Sequence, residues 1–280
     1  MDVTVEVEDL AVTYRGLGSK PVTALAGVSL RAHAGEIVGV LGENGSGKST
    51  LLAVLAGAIT PTAGRARVLG RPPEDRSLLR LVGYQPEGPL PFPSCRPAEF
   101  LARLAALHGE PFAQSRERIA ALLAQVGLEG ALRRKVGKLS TGMARRLALA
   151  AALLPQPRVL LLDEPTSGLD PEGSLLAIEL LRTQARAGTT VVLASHHLQE
   201  VEQICTRIVM LHRGRKTAEG SLDELLGTHD LEFVVEGLPG EQVPAAARAL
   251  EALGGRVVHV GPRREHLFAL FRRLRGSEPG

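Results

Sequence analysis

Gly42-Glu43-Asn44-Gly45-Ser46-Gly47-Lys48-Ser49 matches the pattern G-x-x-x-x-G-K-[ST], and its flanks decide how the chain folds. The run Glu36-Ile37-Val38-Gly39-Val40-Leu41 before it reads as a buried strand. Thr50-Leu51-Leu52-Ala53-Val54-Leu55 after it reads as a helix. Between them the glycines let successive backbone N–H groups turn inward, on the positive end of the helix, as a cradle for a polyphosphate. Lys48 then reaches the β- and γ-phosphates, and the Ser49 hydroxyl is available to Mg²⁺. A glycine-rich turn alone would fit the pattern; strand-loop-helix context points to a phosphate site.

Outward from this loop the period changes several times. Val3–Leu10 and Val28–Ala32 alternate as antiparallel strands around the polar loop Arg15–Lys20, and Ala66–Leu69 and Leu81–Tyr84 read as further strands. Pro86-Glu87-Gly88-Pro89-Leu90-Pro91-Phe92-Pro93 is too rich in proline for a regular element, and loops of this length are often functional. Phe100, Leu101, Leu104 and Leu107, then Ile119, Leu122, Leu123 and Val126, recur at helical spacing. They predict a helical insert over about residues 98–154. The parallel α/β pattern returns with strands Val159–Leu162 and Thr189–Ala194 around a helix over Pro171–Ala187. From Thr228 the texture differs: strands Leu231–Val235 and Val257–Val260, helices Ala245–Leu253 and Glu265–Leu274, and the turn Gly237-Leu238-Pro239-Gly240. Two domains are expected, residues 1–227 and a small α+β appendage over 228–280.

Composition narrows the function classes. The chain has 280 residues, no Trp and 3% aromatics, so its core must be mainly Leu, Ala and Val. Net charge is only +3, with Arg133-Arg134-Lys135 and Arg272-Arg273 the densest basic spots. With few aromatics to stack on bases, those clusters read as solvated faces rather than a nucleic-acid surface. Cys95 and Cys205 are isolated thiols with no C-x-x-C spacing, which fits a reducing compartment and neither a cysteine zinc site nor a disulfide framework. Met1–Glu6 lacks the features of a signal peptide, and apolar runs such as Leu51–Ile59 and Leu147–Leu154 fall short of the ~18 residues that span a bilayer. A soluble, cytoplasmic chain is expected, doing any membrane work through a partner.

A second constellation lies downstream. Val159-Leu160-Leu161-Leu162 ends in Asp163-Glu164, and strand alternation gives the two carboxylates different jobs. Asp163 suits a Mg²⁺ ion, directly or through water, and Glu164 suits a general base that polarises an attacking water. Leu139-Ser140-Thr141-Gly142-Met143 opens a helix beginning near Ala144, with Ser140 as its N-cap. An ordinary capped helix would look the same in isolation.

Taken together, residues 3–226 resemble the nucleotide-binding subunit of an ABC transporter, most closely the multidrug or ABC-2-type export group. The resemblance implies a P-loop ATPase core with an antiparallel β subdomain and a helical subdomain. It identifies Ser140, Thr141, Gly142 and Met143 with the family's L-S-G-G-Q signature; Thr141 and Met143 depart from that pattern while Ser140 and Gly142 match. It identifies Ser167-Gly168-Leu169-Asp170 with the D-loop that lies across a dimer interface, and His196 with the switch histidine that contacts the γ-phosphate. His197 reads as a surface neighbour rather than a second ligand. Tyr14 sits where the family stacks an aromatic on adenine, although a lone Tyr can equally be packing. The family's Q-loop glutamine falls on Glu87, which keeps an oxygen for Mg²⁺ but loses the amide donor. The expected nucleotide site is therefore Tyr14, Gly42, Glu43, Asn44, Gly45, Ser46, Gly47, Lys48, Ser49 and Thr50. Catalysis would rest on Glu164, His196 and Lys48, and the metal on Ser49, Asp163 and Glu87.

The implied cofactors are ATP and Mg²⁺. The implied partners are a second copy of the chain, whose signature closes the γ-phosphate face, and a separate transmembrane permease that holds the chain at the inner face of the membrane. The helical insert and the proline-dense loop are expected to form the groove that receives the permease. The alternative is a soluble ABC ATPase acting on nucleic acid or ribosomes. One P-loop, no sustained heptads and no duplicated motif weigh against it, and intact Lys48, Asp163, Glu164 and His196 weigh against a non-catalytic regulator.

Overall fold

The computed structural model describes residues 2–15, 20–226, 235, 238–253 and 256–257. The chain divides into two compact units, Met1–Gly227 and Thr228–Gly280.

In the first unit, β1 (Val3–Tyr14) and β2 (Val22–His33) form a long antiparallel ribbon. The alternation of β1 buries Val5, Val7, Leu10 and Val12 on one face. Its phase survives an irregularity at Asp9, where φ is +47° and the register shifts between Val7 and Leu10. The Asp9 N–H donates to Ser29 Oγ at 2.8 Å, which anchors the irregularity to β2. β3 (Ile37–Leu41), α1 (Lys48–Leu55) and β4 (Ala63–Val68) follow. β4 joins the far side of β1, giving a three-stranded antiparallel sheet in the order β2-β1-β4.

β5 (Val82–Gln85) precedes Pro86–Arg96, which forms no helix or strand. Then come α2 (Pro97–Leu107), α3 (Phe112–Gln125) and α4 (Thr141–Leu153), where the helical insert was expected. α4 starts at Thr141, one turn earlier than its apolar spacing suggests, because Ser140 Oγ already accepts from Met143 N–H at 3.2 Å. β6 (Val159–Asp163), α5 (Pro171–Arg186), β7 (Thr190–Ser195), α6 (Leu198–Ile204), β8 (Arg207–His212), β9 (Arg215–Ser221) and α7 (Leu222–Leu226) complete the unit.

The second sheet is six-stranded in the order β5-β6-β7-β3-β8-β9, parallel throughout except for β9. Every residue of β3, β6 and β7 is buried, as strands covered on both faces must be. α1 packs against both sheets, and its Leu51, Leu52, Val54 and Leu55 enter the same core as Val5, Leu30, Val38, Val40 and Leu161. Each such side chain contributes roughly 1.5–3 kcal/mol on burial. The helix that carries the loop is thus fixed between two sheets. Among the described residues, no helix is long and apolar enough to cross a membrane.

In the second unit a helical turn at Gly240–Gln242 leads into α8 (Val243–Ala252), where a helix over Ala245–Leu253 was expected. The expected strands Leu231–Val235 and Val257–Val260, the helix Glu265–Leu274 and residue Gly237 of the turn fall wholly or largely outside the described residues, as do positions 16–19 of the loop after β1.

Candidate functional site

The loop Gly42–Gly47 leaves the carboxyl end of β3, which lies between β7 and β8 in the sheet. Ligands of open α/β sheets bind at such strand ends. Gly47 is the N-cap of α1 with φ +103°, and a Cβ there would lie 2.5 Å from Ala24 O and 2.7 Å from Leu25 Cδ2. Only glycine fits this turn. α1 has no side-chain cap and no acidic residue in its first turn, whereas α4 and α5 are capped by Ser140 and Asp170. Its N-terminal N–H groups, with the positive end of the helix dipole, are left for an anion.

Lys48 is 6% exposed, and its Nζ donates to Gly42 O at 2.7 Å and Glu43 O at 3.1 Å. The ammonium thus folds back over the loop it would serve. Ser46 donates its N–H to Glu43 O at 3.1 Å, while its buried Oγ has no partner. Glu43, Asn44 and Gly45 are exposed, as is Ser49 at the start of α1. Tyr14, at the end of β1, lies beside the same helix with its hydroxyl 3.2 Å from Thr50 Oγ1. Its ring is 44% exposed, so it is not core packing.

Asp163 ends β6 opposite Ala194 of β7. It is 2% exposed, and its Oδ1 has no partner. Burial, above all, pushes its pKa above the usual 3.8; the charges of Glu87 and Glu164 push the same way, against a hydrogen bond from Ser49 and the charge of Lys48. Ser49 thus bonds Asp163 directly, while Glu87, exposed beyond the end of β5, acts on it through its charge. Two carboxylates and a hydroxyl form the hard-oxygen donor set that suits Mg²⁺, and the orphaned Oδ1 is the atom such an ion would satisfy.

Glu164 adopts φ +50°, a conformation that costs a non-glycine residue about 1–3 kcal/mol. Surrounding contacts hold it there. Its N–H donates to Ala194 O at 2.9 Å, Oε1 lies 2.7 Å from His196 Nδ1, and Oε2 accepts from Ser195 Oγ at 3.4 Å. The carboxylate, 6% exposed, is thus oriented by the end of β7. Ser195 is a site residue that sequence reading passed over. Its strand-end position beside His196 was the available signal, but the contact spans 31 positions and depends on the β6–β7 register. His197 is also close. Its ring lies 4.0 Å from that of His196, centroid to centroid, and the residue stands exposed at the N-cap position of α6 without a side-chain cap bond.

The segment Ser140–Met143 stands at the start of α4 and packs against Ser167–Asp170. A Cβ on Gly142 would be 3.2 Å from Gly168 O, and one on Gly168 would be 3.0 Å from Thr141 Cγ2. Asp170 caps α5 by accepting from Gly173 N–H at 2.8 Å. Arg145, one turn into α4, donates to Asp163 O at 3.3 Å and ties that helix to β6.

Comparison with known proteins gives a consistent set of relatives. Residues 25–167 match the family model described as ABC transporter. An uncharacterised ABC transporter ATP-binding protein of Nostoc sp. is 41% identical over 241 residues, covering 85% of this chain and 72% of the relative. The Nod factor export ATP-binding protein I of Rhizobium meliloti is 39% identical over 261 residues, covering 89% and 76%. Among solved structures, a dimeric ATP-binding cassette in a post-hydrolysis state bound to ADP and Pi superposes with TM-score 0.70 at 27% identity, covering 78% of this chain and 98% of that one. The cbiO1 protein of Clostridium perfringens, part of an ABC transporter complex, gives TM-score 0.68 at 27% identity, covering 91% and 98%.

Proposed function

This chain belongs to the ABC transporter family, and on that premise we propose how its residues divide the work of ATP binding and hydrolysis. It is an ATP-binding and ATP-hydrolysing subunit of a transporter. The observation that carries the residue assignment is Glu164, held in a strained conformation by Ser195 and His196 beside a phosphate-binding loop.

The uncapped start of α1 and the amides of Gly45–Thr50 would receive the β- and γ-phosphates. Lys48 would exchange its two carbonyl partners for phosphate oxygens, and Tyr14 would stack on the adenine. Ser49, Asp163 and Glu87 would hold Mg²⁺, which supplies charge neutralisation on the phosphates. Glu164 would accept the proton of the attacking water, and His196 would orient that carboxylate and touch the γ-phosphate.

ABC ATP-binding subunits dimerise and work with a transmembrane partner. For this chain the second subunit would be another copy. Its Ser140, Thr141, Gly142 and Met143, at the positive end of α4, would close the γ-phosphate face, with Asp170 in the interface. A separate permease would hold the dimer at the inner membrane face. A groove of about 340 Å³ suits the permease's cytoplasmic helix: Leu55, Leu78, Tyr84 and Leu104 line it, and none of Pro86–Pro93 does. Export is the direction favoured by the Nod factor export relative.

The test is Glu164→Gln. Hydrolysis should fall by about two orders of magnitude or more while ATP binding persists and an ATP-bound dimer accumulates in size-exclusion chromatography. Turnover at the wild-type rate would remove Glu164 from the base role. Affinity capture of the full chain from detergent-solubilised membranes tests the partner; recovery with ribosomes or DNA instead of a polytopic protein would overturn the permease assignment.

A further inference from the structure

Among the described residues, Glu164, His196 and His197 each offer a donor atom, and these atoms lie within 4.8 Å of one another. Hydrolysis as described above uses Glu164 and His196 but has no task for His197. We propose that the three residues form a binding site for a transition-metal ion of the Zn²⁺ class, separate from the Mg²⁺ site, and that the ion switches hydrolysis off by sequestering Glu164.

The donor chemistry sets the class of ion. Two imidazoles and one carboxylate suit Zn²⁺, Ni²⁺ or Cu²⁺, whereas Mg²⁺ prefers oxygen donors and keeps its waters. Three protein ligands leave one tetrahedral position open. Bonds of about 2.0–2.2 Å place tetrahedral donors roughly 3.4 Å apart. The His196 Nδ1–Glu164 Oε1 pair, at 2.7 Å, needs to open slightly, and the wider separations, all within 4.8 Å, close by side-chain rotation. Both histidines are exposed at the end of β7, so an ion can enter from solvent and those rotations meet little packing. The backbone already brings the rings together: the His197 N–H donates to Ser195 Oγ at 3.0 Å, and Ser195 Oγ in turn donates to Glu164 Oε2.

Binding requires the carboxylate in its ionised form and a free lone pair on one nitrogen of each imidazole. With His196 bound through Nδ1, the ring's proton is carried on the other nitrogen. With its lone pairs on the metal, Glu164 no longer accepts a proton from water. That inhibitory consequence rests on the base role assigned to Glu164; the binding itself does not.

The experiment uses the full-length, nucleotide-free protein and free Zn²⁺ set by a chromophoric competing chelator. Wild type should bind one Zn²⁺ per chain at this site. His197→Ala should bind it at least about tenfold more weakly, a loss in the range seen when even indirect metal contacts are removed. In parallel, turnover is measured at saturating ATP and excess Mg²⁺ over the same buffered Zn²⁺ series. Zn²⁺ should inhibit wild type reversibly, with EDTA restoring the rate, while His197→Ala keeps the wild-type rate without zinc and resists inhibition. Equal Zn²⁺ affinity in the two proteins would overturn the site. So would an identical inhibition curve, the behaviour expected if Zn²⁺ merely displaces Mg²⁺ from the nucleotide. Glu164→Gln assayed without zinc reports on the base role alone, so its failure is distinguishable from failure of the metal site.

Discussion

Asp163→Asn should make the nucleotide-free protein more stable while spoiling its use of Mg²⁺. The wild-type residue is 2% exposed, with an unpartnered Oδ1 and two neighbouring carboxylates, Glu87 and Glu164, that oppose its ionisation. A buried acceptor without a partner costs about 1–3 kcal/mol, and more when charged. Asparagine keeps an oxygen for the Ser49 hydroxyl and removes the charge that burial and the two carboxylates oppose. A net gain of about 1–2 kcal/mol is expected once the imperfect fit of the new amide is allowed for. At about 2–4 °C per kcal/mol for a domain of this size, the melting temperature should rise by roughly 2–8 °C. The chain has no Trp, so the melt is best followed by circular dichroism or calorimetry, in EDTA and without nucleotide.

The pH dependence has a definite sign. The folded pKa of Asp163 is raised above 3.8, so in the window between 3.8 and the raised value the folded state holds a proton that the unfolded chain has released. The penalty is fully present above the folded pKa, shrinks as pH falls through it, and is gone below 3.8. The gap between variant and wild type should therefore narrow on acidification. With Mg²⁺ and ATP the order should reverse, because ligand at a hundred times its Kd adds about 2.7 kcal/mol to a protein that binds it. A variant that melts below wild type in EDTA would refute the account of Asp163 as an unsatisfied ligand.

Two further outcomes are expected. Gly83→Ala should destabilise by about 1–3 kcal/mol, read as a lower urea midpoint, since a Cβ there would lie 2.0 Å from Ala152 O in α4 and the backbone cannot yield cheaply; an unchanged midpoint would mean that α4 does not press on β5 in solution. Glu87→Gln retains an oxygen donor but removes a charge that opposes ionisation of Asp163, so the Mg²⁺ concentration for half-maximal turnover should shift at least about twofold; an unchanged Mg²⁺ requirement would take Glu87 out of the metal site.

The loop at Gly42–Ser49 and the strand ending in Asp163-Glu164 could be read from the sequence because their signals are local: a residue pattern flanked by apolar runs. The start of α1 was harder to see. Its cap is Gly47 in a left-handed conformation with no side-chain bond, so the Ser, Thr, Asp or Asn signal that marks most helix starts is missing. β9 also escaped notice, since Arg215-Lys216-Thr217-Ala218-Glu219 is polar and on the sheet edge. Its antiparallel pairing with β8 and the ion pair of Arg207 with Glu219 hold it rather than an apolar stripe. Ser195 and His197 had only their place beside His196 at the end of a strand to mark them. Their nearness to Glu164 follows from the pairing of Asp163 with Ala194, which no window of sequence contains.

The site within one chain is prepared but incomplete, and its hydrogen bonds say in which direction. On the phosphate side, α1 is uncapped, Ser46 Oγ and Asp163 Oδ1 lack partners, and Lys48 is occupied by two carbonyls of its own loop. Under the proposed assignment, a polyphosphate and its metal would supply partners for those groups. At the start of α4, Ser140 Oγ accepts from Met143 N–H, so its hydroxyl hydrogen remains free to donate. A donor on an exposed helix start would complement a phosphate bound at the loop of α1. Thr141 and Gly142 pack against Gly168 in the segment that precedes α5, and Arg145 links α4 to Asp163. Closure by a second copy would therefore satisfy both surfaces at once, which is how ATP binding can be made to depend on dimer formation.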